Sequence, residues 1–219
     1  MELDWSFMLH AIPVFVQGLK ISLLIAFFGI LGATLLGFLV ALLLFFKTPF
    51  LALCARVYVE IARNTPLLIQ LFFLYYGLKE IGFSLSAMQC AIIGLSFLGG
   101  AYMAESFLLG LKALPKVQIE AALSLGLNRL QSLYYVLLPQ SLAISLPSLG
   151  ANVIFLLKET SVVSAIALTD VMFVAKDLIG IYYKTTEALI LLVLTYLVVL
   201  LPLSLLFRTL EQFYKKKTW

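Results

Sequence analysis

The stretch ISLLIAFFGILGATLLGFLVALLLFF, residues 21–46, contains no charged side chain. A helix needs about 20 such residues to cross the hydrocarbon core of a bilayer, so this segment is long enough to span one. Outward from it, residues 81–104, 130–157 and 188–207 are uncharged runs of similar length. A fifth stretch, about 56–78, is charged in its interior only at Glu60 and Arg63. Residues 5–19 form a shorter run containing Pro13, which reads as an interfacial helix leading into the first span.

Composition agrees with that reading. At 63% hydrophobic and 12% charged residues, with a mean hydropathy of +1.10, a soluble fold would leave large apolar patches in water. Helices satisfy every backbone polar group inside the segment, and the alternation of a membrane barrel strand is absent. The expected class is an all-α integral membrane protein of about five transmembrane helices, forming one domain over residues 1–219.

Lys and Arg set the orientation. An outside N-terminus makes Lys47, Arg56, Lys112, Lys116, Arg129, Arg208 and Lys215-Lys216-Lys217 cytoplasmic. Lys20, Lys79, Lys176 and Lys184 then lie outside, diluted by Glu2, Asp4, Glu80, Asp170, Asp177 and Glu187. The acidic start, Met1-Glu2-Leu3-Asp4-Trp5, does not resemble a cleaved signal peptide. Cys54 and Cys90 read as unpaired packing residues, and with His10 the one histidine no metal cluster is expected. No basic stripe with interleaved aromatics points to nucleic acid. The closing Lys215-Lys216-Lys217 reads as an anchor to anionic membrane lipid.

The longest cytoplasmic loop, about 111–134, reads as two short amphipathic helices, 117–125 and 128–134, hinged at Gly126. No internal repeat is visible. A central pathway usually needs two related halves, so the second half is expected from another chain.

Four motifs carry a family resemblance. The loop holds Glu120-Ala121-Ala122, then Gly126, then Val136-Leu137-Leu138-Pro139. Around it stand Tyr58-Val59-Glu60-Ile61-Ala62-Arg63-Asn64-Thr65-Pro66, Ala101-Tyr102-Met103-Ala104-Glu105 and Leu157-Lys158-Glu159-Thr160-Ser161. Together these resemble the permease subunits of ATP-binding-cassette (ABC) importers for polar amino acids such as histidine, glutamine, arginine and glutamate. Asn64, Leu108 and Val117 depart from residues common in that subgroup. The resemblance implies a type I importer fold whose loop helices couple to a separate ATPase through Glu120, Ala121, Ala122, Gly126 and Pro139. It further implies a second permease copy or a related permease, an extracytoplasmic binding protein, and residence in a bacterial inner membrane. ATP and magnesium would be held by the ATPase, since this chain has no Gly-x-x-x-x-Gly-Lys-[Ser/Thr] loop and no cofactor of its own is expected.

Intramembrane charges are the candidate site residues, because a charge at the bilayer centre costs about 2.5–3.5 kcal/mol even on insertion scales. Glu60 and Arg63 share a helix face and are expected to pair, with Arg56 as another partner for Glu60. With Thr65 and Pro66 they form a structural or gating group, in which Pro66 frees the carbonyl of Ala62. Lys158 is expected to take a substrate carboxylate, and Glu159 or Glu105 its amine; the alternatives are that Lys158 and Glu159 lie at the outer edge of the span and snorkel to water, and that Glu105 pairs with Lys158. Asn152, Thr160 and Ser161 would supply hydrogen bonds. Pro139 and Pro147 bracket the fourth span. The rival reading is an ion-coupled secondary transporter, which would have no use for the coupling loop. A membrane-embedded enzyme would need a set of His, Asp or Cys groups that the sequence does not offer.

Overall fold

The computed structural model describes residues 3–217, and side chains through Tyr214, so Met1, Glu2 and the Lys215-Lys216-Lys217 side chains lie outside the described residues. Among the described residues there is helix and no strand. In chain order the helices are α1 (Trp5–Phe45), α2 (Leu51–Asn64), α3 (Leu67–Phe72), α4 (Leu78–Glu80), α5 (Ala87–Ala113), α6 (Lys116–Ser124), α7 (Arg129–Ser132), α8 (Leu138–Glu159), α9 (Val171–Tyr182) and α10 (Thr185–Lys217). A π turn, Phe73–Gly77, joins α3 to α4, and another, Leu133–Leu137, joins α7 to α8. A 3₁₀ segment, Thr160–Ile166, continues α8.

Four of these helical runs are long and apolar enough to cross a membrane: α1, α5, the run Arg129–Ile166, and α10. The fifth expected stretch is divided. Helix α2 stops at Asn64, Thr65 and Pro66 are extended, and α3 restarts at Leu67. The missing N–H and the ring of Pro66 account for the break.

Residues 5–19 are not a separate interfacial helix. They are the first turns of α1, which is 41 residues long. Such a helix runs about 60 Å, roughly twice the hydrocarbon thickness. Met8, Ala11 and Phe15 form a stripe at helical spacing that is buried against Val171, Val174 and Leu178 of α9 and against Leu191 of α10. One apolar stripe of this segment is therefore spent on protein, while Trp5, Leu9, Ile12 and Val16 stay exposed on its other sides.

Helix α1 packs along α5 through small residues. Gly29, Ala33, Gly37 and Ala41 recur every fourth position and are buried. A Cβ on Gly37 would stand 2.8 Å from both the Ala104 amide nitrogen and the Gly100 carbonyl oxygen, so the backbones meet there with no room to spare. Helix α5 is the most enclosed of the four long runs and α10 the least. Two polar contacts pin α5 to its neighbours: the Tyr58 hydroxyl donates to the Phe97 carbonyl at 2.7 Å, and the Ser96 hydroxyl to the Gly29 carbonyl at 3.2 Å.

Outside the long apolar runs, Asp170 caps α9. Its carboxylate accepts from the Phe173 and Met172 amides at 2.9 and 3.2 Å, and the residue is fully buried. Burial pushes its pKa up to about 6, against the opposing pull of those amides and of Lys176. The folded pKa thus lies above the unfolded reference of 3.8. The stabilisation this provides is complete below about pH 4 and is lost as pH rises through 6, up to about 3 kcal/mol. Asp170→Asn, which keeps a capping oxygen but does not titrate, is expected to flatten that part of the stability–pH curve. Thermal unfolding of both proteins between pH 4 and 7 checks it.

Candidate functional site

The break at Thr65-Pro66 exposes backbone carbonyls that a continuous helix would satisfy. The Gln70 side chain takes them. Its amide nitrogen lies 3.2 Å from the Ala62 carbonyl, 3.1 Å from the Thr65 carbonyl and 2.8 Å from the Thr65 hydroxyl. The Ala62 carbonyl expected to be freed by Pro66 is therefore occupied from within the same segment. Three acceptors face that nitrogen, so a flipped amide would put oxygen against oxygen, and the orientation is fixed. The other end, Gln70 Oε1, is buried and has no hydrogen-bond partner among the described residues.

Beside this break stands an ion pair. Arg63, in the last turn of α2, binds Glu105 of α5 through Nη1 and Oε1. The expected Glu60–Arg63 pair does not form, because Arg63 reaches across to α5. Glu60 instead accepts from the Asn64 side-chain amide at 3.1 Å. The Arg63 guanidinium also lies over the Tyr102 ring, 5.3 Å from its centroid, a cation–π arrangement. Tyr102 in turn meets Phe155 of α8 edge-on at 5.3 Å.

Two clefts meet at Tyr102. One, of about 380 Å³, is bounded by Arg63, Thr65, Pro66, Tyr102, Phe155 and Glu159 among others. The second, of about 230 Å³, is bounded by Tyr102, Glu105, Ser106, Leu109, Ser148 and Asn152. The Asn152 amide donates to the Tyr102 carbonyl at 3.1 Å and to the Ser106 hydroxyl at 2.8 Å. Ser106 and Ser148 share a hydrogen bond of 2.6 Å. This network ties α5 to α8 and leaves a polar floor between them.

Of the residues expected to hold substrate, Glu105, Asn152 and Glu159 line the clefts. Lys158, Thr160 and Ser161 line neither. Lys158 is exposed on the outer side of α8, adjacent residues of a helix pointing about 100° apart. Thr160 is fully buried and donates to the Leu157 carbonyl at 2.8 Å. Arg63, Tyr102, Ser106, Ser148 and Gln70 were not among the expected substrate ligands. Tyr102, Glu105 and Ser106 do recur at i, i+3 and i+4, the spacing of one helix face.

Past the C-terminal end of α5, the first loop helix is close to the one expected, while the second, expected over 128–134, is the four-residue α7 that runs on through a π turn into α8. Helix α6 ends at Ser124 with Leu125 as its cap, and Gly126 follows with a φ of +84° that favours glycine. The Leu127 amide donates to the Ala122 carbonyl at 3.2 Å and the Gly126 amide to the Leu123 carbonyl at 3.0 Å, a Schellman closure. Asn128 and Gln131 then cap α7 reciprocally. Ala122 is buried, while Glu120, Ala121 and Gly126 are exposed, as are the large apolar side chains of Leu125, Leu130 and Tyr134. Pro139 follows the Leu133–Leu137 π turn, where the Leu138 amide reaches back to the Leu133 carbonyl. That wider turn gives the chain a way past the proline.

The fold and this loop define a polytopic membrane permease of the ABC importer type. Residues 33–216 match the family described as "Binding-protein-dependent transport system inner membrane component", and the chain belongs to that family. It is 33% identical over 207 residues to the probable amino-acid permease protein YxeN of Bacillus subtilis, covering 93% of this chain and 92% of the relative. It is 30% identical over 214 residues to the glutamine transport system permease protein GlnP of Escherichia coli K12, covering 97% and 98%. Among solved structures, a crystal structure of an amino acid ABC transporter with histidines matches with a TM-score of 0.88 and 32% identity, over 97% of this chain and 99% of that one. The inward-facing MetNI methionine ABC transporter shares the fold, at a TM-score of 0.73 and 22% identity over 90% and 96%. The chain is thus a multi-pass inner-membrane permease.

Gln70 is the side chain on which the broken segment depends. Gln70→Ala leaves the Ala62 and Thr65 carbonyls without that partner and is expected to destabilise the protein by about 1–3 kcal/mol. The fall in unfolding midpoint of the purified chain in detergent measures it. An unchanged midpoint would mean that the break is held by packing alone.

Proposed function

We propose that this chain is the membrane-spanning subunit of an ATP-driven importer that carries polar L-amino acids into the cytoplasm. The observation that carries the reading is the Arg63–Glu105 pair set between two clefts. An α-amino acid presents a carboxylate and an ammonium. Arg63 is the cation for the first, and Glu105 and Glu159 are the anions for the second. Tyr102 adds an aromatic face for a cationic group, and Asn152, Ser106 and Ser148 offer hydrogen bonds.

Exposure supports a second permease chain. The Arg63 and Glu105 side chains are 37% and 45% exposed where α2 meets α5. Charges so placed are excluded from hydrocarbon, so this side of the chain belongs to an aqueous pathway shared with another copy or a related permease. Lys158 is assigned to the same pathway, as a further cation for the substrate carboxylate when the two halves meet. The relatives named as amino-acid permeases point to the same substrate class.

The loop helices α6 and α7 are the docking element for an ATPase. Their exposed Leu125 and Leu130 are apolar anchors, and Glu120, with no partner among the described residues, meets a basic groove. In this reading the loop is cytoplasmic, the N-terminus outside, and a binding protein delivers the amino acid to the outer face. ATP and magnesium are bound by the ATPase, and this chain catalyses no reaction itself.

The test is uptake into proteoliposomes that hold the permease, its ATPase and its binding protein. Uptake of a polar amino acid that requires ATP, and that falls at least tenfold with Gly126→Asp together with loss of ATPase co-purification, is the expected result. Uptake driven by an ion gradient without ATP would replace this reading with a secondary transporter.

A further inference from the structure

A cavity of about 500 Å³ lies between the loop and the ends of α1 and α5, away from the two clefts. Four cations converge on it from four segments. Lys47 stands in the turn after α1, Lys112 in the last turn of α5, Lys116 at the start of α6 and Arg129 at the start of α7. No carboxylate lines the cavity. Neither ion pair among the described residues, Arg63–Glu105 or Lys184–Asp4, involves any of the four. Their mutual repulsion is thus left unrelieved by the chain itself.

Two details sharpen this. Lys116 occupies the first turn of α6, the end of a helix where a cation is disfavoured by the dipole. Lys47 has a φ of +50°, a left-handed conformation uncommon for a residue other than glycine. Both arrangements work against local stability, yet both aim positive charge at one space.

Apart from Ser132, the rest of the wall is apolar. Phe45 and Phe46 from the end of α1, Leu111 and Leu114 from α5, and Ile119 and Leu123 from α6 enclose it. The α1 and α5 walls are the ends of two helices long and apolar enough to cross a membrane, so the cavity lies beside the ends of two spans. A small inorganic anion would satisfy the cations but leave the apolar wall uncovered. An anion carrying a hydrocarbon tail satisfies both.

We propose that this cavity seats one anionic phospholipid from the leaflet on the loop's side of the membrane. Its phosphate meets Lys47, Lys112, Lys116 and Arg129, and its chains lie along the ends of α1 and α5. The lipid joins the span ends to the loop helices across the surface. The site is separate from the substrate clefts, and although Lys116, Ile119, Leu123 and Arg129 belong to the loop helices that the transport reading docks on an ATPase, lipid retention by the chain alone is read without uptake.

Native mass spectrometry of the full chain in neutral detergent, titrated with phosphatidylglycerol, tests this. Wild type is expected to retain one phosphatidylglycerol tightly, and to retain phosphatidylcholine at least tenfold more weakly. Each cation removed is expected to weaken phosphatidylglycerol binding about fivefold. Lys47→Ala with Lys112→Ala therefore gives a loss of roughly 25-fold, while Lys20→Ala with Lys79→Ala, exposed cations elsewhere, gives none. Should the first double variant fail to fold, Lys116→Ala alone is expected to give the fivefold loss, and Lys112→Arg to retain binding. Retention of phosphatidylcholine equal to phosphatidylglycerol would overturn the proposal. So would binding unchanged in Lys116→Ala, or displacement of the lipid by millimolar inorganic phosphate, which would identify the cavity as a simple anion site.

Discussion

A charged side chain within a bilayer needs either water or an opposite charge, and this constraint organises the chain around Arg63 and Glu105. The two residues come from helices that the sequence separates by the whole α3–α4 segment, and their pairing holds α2 against the middle of α5. Tyr102, one turn before Glu105, lies under the guanidinium and meets Phe155 edge-on, which carries the contact into α8. Asn152 returns from α8 to the Tyr102 carbonyl and to Ser106. Three helices are thereby joined at one point by polar and aromatic contacts. The pair is also partly exposed, so both charges remain available to a ligand that brings one of each sign.

The break at Thr65-Pro66 serves that arrangement. A straight α2–α3 helix would continue past Arg63 with its carbonyls fully used. The extended residues instead make an edge of the larger cleft, and Gln70 closes the opened backbone at close range. Nearby, the Phe73–Gly77 π turn shifts the helical register again before the loop to α5. Regular helix is thus kept in α1, α5 and α8, and the one break that borders the site is at Thr65-Pro66. The glycines and alanines of α1 permit the opposite behaviour: a long uninterrupted contact with α5 that acts as the frame.

Much of this was legible in the sequence because it depends on composition and spacing. The uncharged runs gave the long helices, and Gly126 with Asn128 gave the hinge and the first loop helix, though the second loop helix merges into the span that follows. Glu105, Asn152 and Glu159 were identified from their charge or polarity inside apolar runs. What escaped was tertiary. Glu60 and Arg63 are near in sequence, so helix spacing favours their pairing, but only the approach of α5 reveals Glu105 as the better partner. Lys158 and Glu159 look equivalent on paper, and the rotation of α8 about its axis decides which of them borders a cleft. Residues 5–19 have the look of an interfacial helix until α9 is seen to cover their apolar stripe.

The central claim is that the face built on Arg63 and Glu105 binds an amino acid. Thermal stabilisation of the purified permease with its ATPase, by a panel of the twenty amino acids, tests it most directly. A ligand at a hundredfold excess over its dissociation constant raises folded-state stability by about 2.7 kcal/mol, enough to register as a shift in midpoint. The account predicts that at least one polar amino acid protects the wild type and that the protection disappears in Arg63→Ala. Protection that survives Arg63→Ala and Glu105→Ala would place the binding site elsewhere and contradict it.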